Sequence, residues 1–137
     1  MPDGGRVPVP VGTLGAVLAG GESRRMGTDK ALLEVEGVPL VVRAARALAT
    51  ALGEVVVVTR RPAALAGLGL EVVADDPGPQ TPLTGIATAL RHAAGRPVLV
   101  AACDMPWIEP AFVRALVSLA GEGGPAGGGR GWDAVVP

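Results

Sequence analysis

Residues 18–30 read LAGGESRRMGTDK and follow directly on an apolar run, TLGAV. Gly20, Gly21 and Gly27 let the backbone curl so that successive N–H groups can face one anion, and Arg24, Arg25 and Lys30 add three positive charges within seven residues. That combination suits phosphate. The spacing belongs to neither of two common phosphate loops. The dinucleotide pattern requires G-x-G-x-x-G, whereas these glycines fall as G-G-x-x-x-x-x-G. The P-loop requires Lys and Ser or Thr after its last glycine, whereas Thr28 and Asp29 follow Gly27. A glycine-rich turn with solvated charges is the plainer alternative, and three cations so close together weigh against it.

A second chemical group is Asp104, a single carboxylate just past the apolar run PVLVAAC of residues 97–103. A carboxylate at an exposed strand end needs no ligand to explain it. Yet Mg²⁺ takes only one or two protein carboxylates and completes its shell with water and phosphate oxygens, so Asp104 is enough to begin a site. No His and Cys spacing suggests zinc. Cys103 reads as a small apolar residue, and His92, the single histidine, reads as a surface residue beside Arg91. No Ser-His-Asp set is visible for acyl transfer. The inventory fits nucleotidyl transfer, in which an ionised acceptor phosphate attacks the α-phosphorus of a nucleoside triphosphate and pyrophosphate leaves. The barrier there is charge crowding and alignment, which cations and oriented N–H groups relieve without a general base.

The elements that must position these groups alternate. Leu14–Leu18 is a short buried strand. Residues 39–52 (PLVVRAARALATAL) carry apolar positions at helical spacing. Residues 54–59 (EVVVVT) form a β-branched run suited to a strand buried on both faces. Residues 70–74 form another strand, 83–94 a helix with Thr84 as N-cap, 97–103 a strand and 110–120 a helix. Residues 121–131, rich in glycine, read as a mobile loop, and WDAVV begins a further strand. Right-handed crossovers then give a mostly parallel sheet with helices on both faces. Ligands of such sheets sit beyond the carboxyl ends of the strands, which selects the segments after Leu18, Thr59, Ala74 and Cys103.

Composition narrows the classes. The 137 residues are 49% apolar, enough for one domain with a core. Residues 1–12 read as a flexible tail and 13–137 as the domain. With one Phe, two Trp, no Tyr and a net charge of −1, neither stacking platforms nor a broad basic surface for nucleic acid are expected. One cysteine allows no intramolecular disulfide and fits a cytoplasmic protein. No apolar run reaches the ~20 residues that span a membrane.

The stretch 18–30 resembles the nucleotide-binding signature of the molybdenum cofactor guanylyltransferase family, L-A-G-G-x-S-x-R-M-G-x-D-K, at Leu18, Ala19, Gly20, Gly21, Ser23, Arg25, Met26, Gly27, Asp29 and Lys30. Residues 75–90 (DDPGPQTPLTGIATAL) are similar to the family's acid followed by P-L-x-G-I-x-x-A-L, and 101–108 (AACDMPWI) to its C-D-M-P strand end. Thr81 stands where the family usually has Gly. The resemblance implies a three-layer Rossmann-like nucleotidyltransferase fold. It implies transfer of GMP from GTP to molybdopterin with Mg²⁺ as cofactor. It implies nucleotide contacts from Leu18, Ala19, Gly20, Gly21 and Lys30, and from Asp75 by position, with Asp76 adjacent. Arg25 and Lys30 would serve catalysis, and Asp104 would hold the metal. The loop Val58, Thr59, Arg60 is where the family often offers a polar contact. Transient contact with other cofactor-biosynthesis proteins or recipient molybdoenzymes is a further implication. Gly at position 20, in A-G-G, resembles the GTP-using branch, since relatives using CTP or sugar phosphates more often carry L-A-A-G. The family continues into further strands and helices that receive the acceptor, and this C-terminal part appears absent. Another acceptor, CTP, or a nucleotide-binding module without turnover are the alternatives.

Overall fold

The computed structural model describes residues 12–19, 30–76, 78, 81–105 and 107–122. In chain order its elements are β1 (Leu14–Leu18), a 3₁₀ turn (Lys30–Leu32), β2 (Glu34–Val35), β3 (Val38–Pro39), α1 (Leu40–Leu52), β4 (Val55–Thr59), a 3₁₀ turn (Pro62–Leu65), β5 (Val72–Ala74), α2 (Pro82–Ala93), β6 (Val98–Ala102) and α3 (Pro110–Glu122). Four strands make a parallel sheet in the order β5-β4-β1-β6.

Alternate residues of a strand point to opposite faces, and here they separate two cores. Val17, Val57 and Ala101 join Val41, Ala44, Ala45 and Leu48 of α1 and Val113 and Val117 of α3. Leu14, Ala16, Val56 and Val58 join Ala89 and Ala93 of α2. Both faces are therefore covered, giving the three layers expected, and this is why the β4 run is apolar at consecutive positions.

Gly15 shows how closely α1 lies on the sheet. A Cβ there would sit 3.0 Å from Val55 Cγ2, 3.2 Å from Leu48 Cβ and 3.2 Å from Leu52 Cδ1. Gly15→Ala is therefore expected to destabilise by about 1–3 kcal/mol. Urea unfolding checks this: an earlier midpoint with the same slope is the expected result. An unchanged midpoint would mean that α1 can retreat without loss.

Most element ends shift by one or two residues from the sequence reading, β5 beginning at Val72 rather than at residue 70, and three differences are larger. Thr81, not Thr84, is the N-cap of α2, because Pro82 occupies the first helical position, where its missing N–H and fixed φ do no harm. Helix α3 runs on through Gly121 and Glu122, into the segment read as a loop. A glycine in a last turn costs the helix only about 1 kcal/mol, which the packing of its earlier turns outweighs. Third, the β2–β3 hairpin was not anticipated. Its two-residue turn, Glu36-Gly37, has φ of 53° and 78°, the left-handed pair that matches strand twist. Two-residue strands carry too little alternation to read. The remainder of the glycine-rich segment, the strand expected at WDAVV and the tail expected before Gly12 lie outside the described residues.

At the amino edge of the sheet, Arg96 Nη1 donates to Glu54 Oε2 at 2.5 Å. The Arg96 guanidinium holds the Glu54 carboxyl below its ordinary range, chiefly through that hydrogen bond. No helix among the described residues is long and apolar enough to cross a membrane.

Candidate functional site at the carboxyl edge

Every strand end at the opposite edge leads into a residue singled out by sequence. Leu18 pairs with Val58 on one side and Ala102 on the other. One step further, Ala19 N–H donates to Val58 O at 2.9 Å, and Cys103 N–H donates to Leu18 O at 3.2 Å. Ala19 is buried, so the chain leaves β1 in a fixed direction. The helix α2 approaches this point closely: a Cβ on Gly85 would lie 3.0 Å from Leu18 Cδ2.

After β6, Met105 N–H donates to Ala102 O at 3.3 Å and closes a turn. Asp104 sits within that turn and is exposed. No group of three or more His, Cys, Asp or Glu gathers anywhere among the described residues. A cation at Asp104 would draw on that carboxylate and on water and phosphate oxygens. Those donors fit Mg²⁺ and do not fit zinc.

After β5, Asp75 N–H donates to Thr59 O at 2.8 Å, which continues the β4–β5 pairing past Ala74. The two adjacent acids then diverge. Asp75 Oδ1 accepts from Thr88 Oγ1 at 2.6 Å and from Asp76 N–H at 2.8 Å. Asp76 instead forms an ion pair with Arg91. Thr88 and Arg91 lie three residues apart on α2, so they share one face of the helix. Arg60, after β4, donates to Gly78 O, while its buried Nε has no hydrogen-bond partner among the described residues. Thr88 and Arg91 were not assigned roles from sequence, whereas Arg60 lies in the 58–60 loop named there for a polar contact. The helical spacing of Thr88 and Arg91 was legible, but nothing in it said that the face would meet the end of β5.

Lys30 opens the 3₁₀ turn before the hairpin and is half-buried. Its neighbour Ala31 is 1% exposed and packs in the α1-side core, and Leu40 N–H donates to Leu33 O at 2.8 Å. The turn is thereby tied to the start of α1, the end of that helix that faces the carboxyl edge. Gly20, Gly21 and Arg25 lie outside the described residues. Cys103 packs against the core, as expected of a small apolar residue. His92 lies 3.8 Å from Glu71 on the last turn of α2, away from Asp104, consistent with its surface reading.

The strand order sets a distance. Asp75 follows β5 and Asp104 follows β6, with β4 and β1 between them. Three strand spacings of ~4.8 Å separate them by ~14 Å along the edge. The two carboxylates are too far apart to share one metal ion. They could serve two ends of one extended ligand.

The chain is similar to known proteins over most of its length. Residues 15–135 match the family model of the MobA-like NTP transferase domain. A probable molybdenum cofactor guanylyltransferase of Pelotomaculum thermopropionicum is 40% identical over 123 residues, covering 90% of this chain and 56% of the relative. The molybdenum cofactor guanylyltransferase of Cereibacter sphaeroides is 45% identical over 124 residues, covering 85% of this chain and 63% of the relative. The chain thus spans somewhat over half the length of the curated relatives it matches. Among solved structures, the molybdopterin-guanine dinucleotide biosynthesis protein A of Archaeoglobus fulgidus superposes with a TM-score of 0.57 at 28% identity, covering 83% of this chain and 57% of that one. With a matching family model over most of its length, relatives above the level of chance similarity and a parallel three-layer sheet, the chain belongs to the MobA-like NTP transferase domain family.

Proposed function

We propose that the chain belongs to a cytoplasmic guanylyltransferase that transfers GMP from GTP to molybdopterin and releases pyrophosphate. The observation that carries the reading is the carboxyl edge itself. The phosphate-suited loop leaves β1, Asp104 leaves the adjacent strand β6, and Asp75 stands three strands away. That span suits a nucleoside triphosphate laid along the edge, with its phosphates near the loop and Asp104 and its nucleoside toward Asp75.

The roles divide accordingly. Backbone N–H groups of Gly20 and Gly21, with Leu18 and Ala19 at the strand end, hold base and phosphates. Lys30 and Arg25 neutralise the phosphate oxygens on which charge accumulates as the acceptor phosphate attacks and pyrophosphate departs. Asp104 holds Mg²⁺, which when bound shields the crowded phosphate charge. Asp75 takes the nucleoside contact, since Asp76 is already paired with Arg91. No residue is needed as a base, because the acceptor phosphate is ionised at neutral pH.

Pyrophosphate release by the purified protein with GTP, Mg²⁺ and molybdopterin is the test. Release that requires both substrates is the expected result. Release with CTP in place of GTP, or with a sugar phosphate in place of molybdopterin, would assign another reaction of the same type. GTP binding without release would leave a nucleotide-binding module.

A further inference from the structure

We infer that Thr88 is a positioning residue: its hydroxyl fixes the Asp75 carboxylate so that Oδ1 is occupied and Oδ2 is left to accept a donor from bound nucleotide. Thr88 is 5% exposed, one of few buried polar side chains among the described residues. A buried hydroxyl needs a partner, and two acceptors are in reach: Asp75 Oδ1 at 2.6 Å and Thr84 O at 3.1 Å. A hydroxyl has one proton. The shorter contact to an ionised oxygen is the stronger, so the proton goes to Asp75.

The surrounding contacts point the same way. Asp76 N–H donates to the same Oδ1 at 2.8 Å, so both hydrogen bonds given to the carboxylate by the described residues fall on one oxygen. Arg91 Nη2 donates to Thr88 Oγ1 at 3.4 Å and pairs with Asp76, which turns the second acid away from the first. With Asp75 N–H on Thr59 O at 2.8 Å, backbone and carboxylate are held from β4, from α2 and by the adjacent Asp76. A carboxylate oriented before the ligand arrives loses less freedom on binding. An acceptor oxygen held in this way takes a single donor, an N–H of a base edge or a hydroxyl of a ribose.

This inference rests on the proposed function, through the nucleotide role of Asp75. It is tested by calorimetric titration of the protein with GTP. Thr88→Val, which keeps the side-chain shape, should bind GTP about threefold to tenfold more weakly, the span of one ordinary hydrogen bond. Thr88→Ser should restore most of the affinity, a rescue that a packing role for the methyl group would not give. In an Asp75→Asn background Thr88→Val should change little further, because the hydroxyl acts through that carboxylate. Thr88→Ala serves as the second variant if Thr88→Val does not fold. Wild-type affinity in folded Thr88→Val, equal loss in Thr88→Ser, or additive losses in the double variant would each overturn the inference alone. Failure of both Thr88→Val and Thr88→Ala to fold would also overturn it, because the hydroxyl would then be structural. A wild-type protein that binds no GTP would overturn the functional reading first, and this one with it.

Discussion

Asp104→Asn is expected to abolish Mg²⁺-dependent nucleotidyl transfer while leaving the fold intact. The substitution keeps size and removes charge. Asp104 is exposed, in a turn after β6, and none of the ion pairs among the described residues involves it. A surface change away from any buried network usually alters stability by no more than about 0.5 kcal/mol. The melting temperature without ligand should therefore stay within a few degrees of wild type. With ligand the two proteins should diverge. GTP stabilises the folded state it binds, and Mg²⁺ should add to that stabilisation in wild type only. The readouts are pyrophosphate release and melting curves with GTP, with and without Mg²⁺. Normal turnover would move the metal to another residue, and outright unfolding would make Asp104 structural.

Lys30→Ala should weaken GTP binding about tenfold or more. The side chain supplies one charge-assisted contact to phosphate, worth roughly 1.5–3 kcal/mol. The fold should survive, because the turn is anchored by Ala31 in the core and by the Leu33–Leu40 hydrogen bond rather than by Lys30 itself. Titration with GTP at two salt concentrations separates the contribution. The loss should be larger at low salt, where charge–charge attraction is less screened. An unchanged dissociation constant would remove Lys30 from the site.

The sequence determined the layers and the strand ends at which the candidate site was sought. Leu14–Leu18 was read to the residue, and residues 54–59 nearly so, because a short apolar run bounded by turn residues has little else to be. Helix α1 followed from apolar spacing. The segments after Leu18, Thr59, Ala74 and Cys103 were selected from chain order alone, since ligands gather at the carboxyl ends of parallel strands. The sequence could not choose between Asp75 and Asp76, two identical side chains on adjacent residues. That difference arises only when α2 packs against the sheet and presents Thr88 to one acid and Arg91 to the other. Nor did periodicity reveal the Glu36-Gly37 hairpin, whose strands are shorter than any pattern. The separation of Asp75 from Asp104 by three strand spacings was likewise hidden, because β1 enters the sheet between β4 and β6, and strand order is a property of packing. Local pattern records what each segment buries; which side chains meet is decided by contacts between residues far apart in the chain.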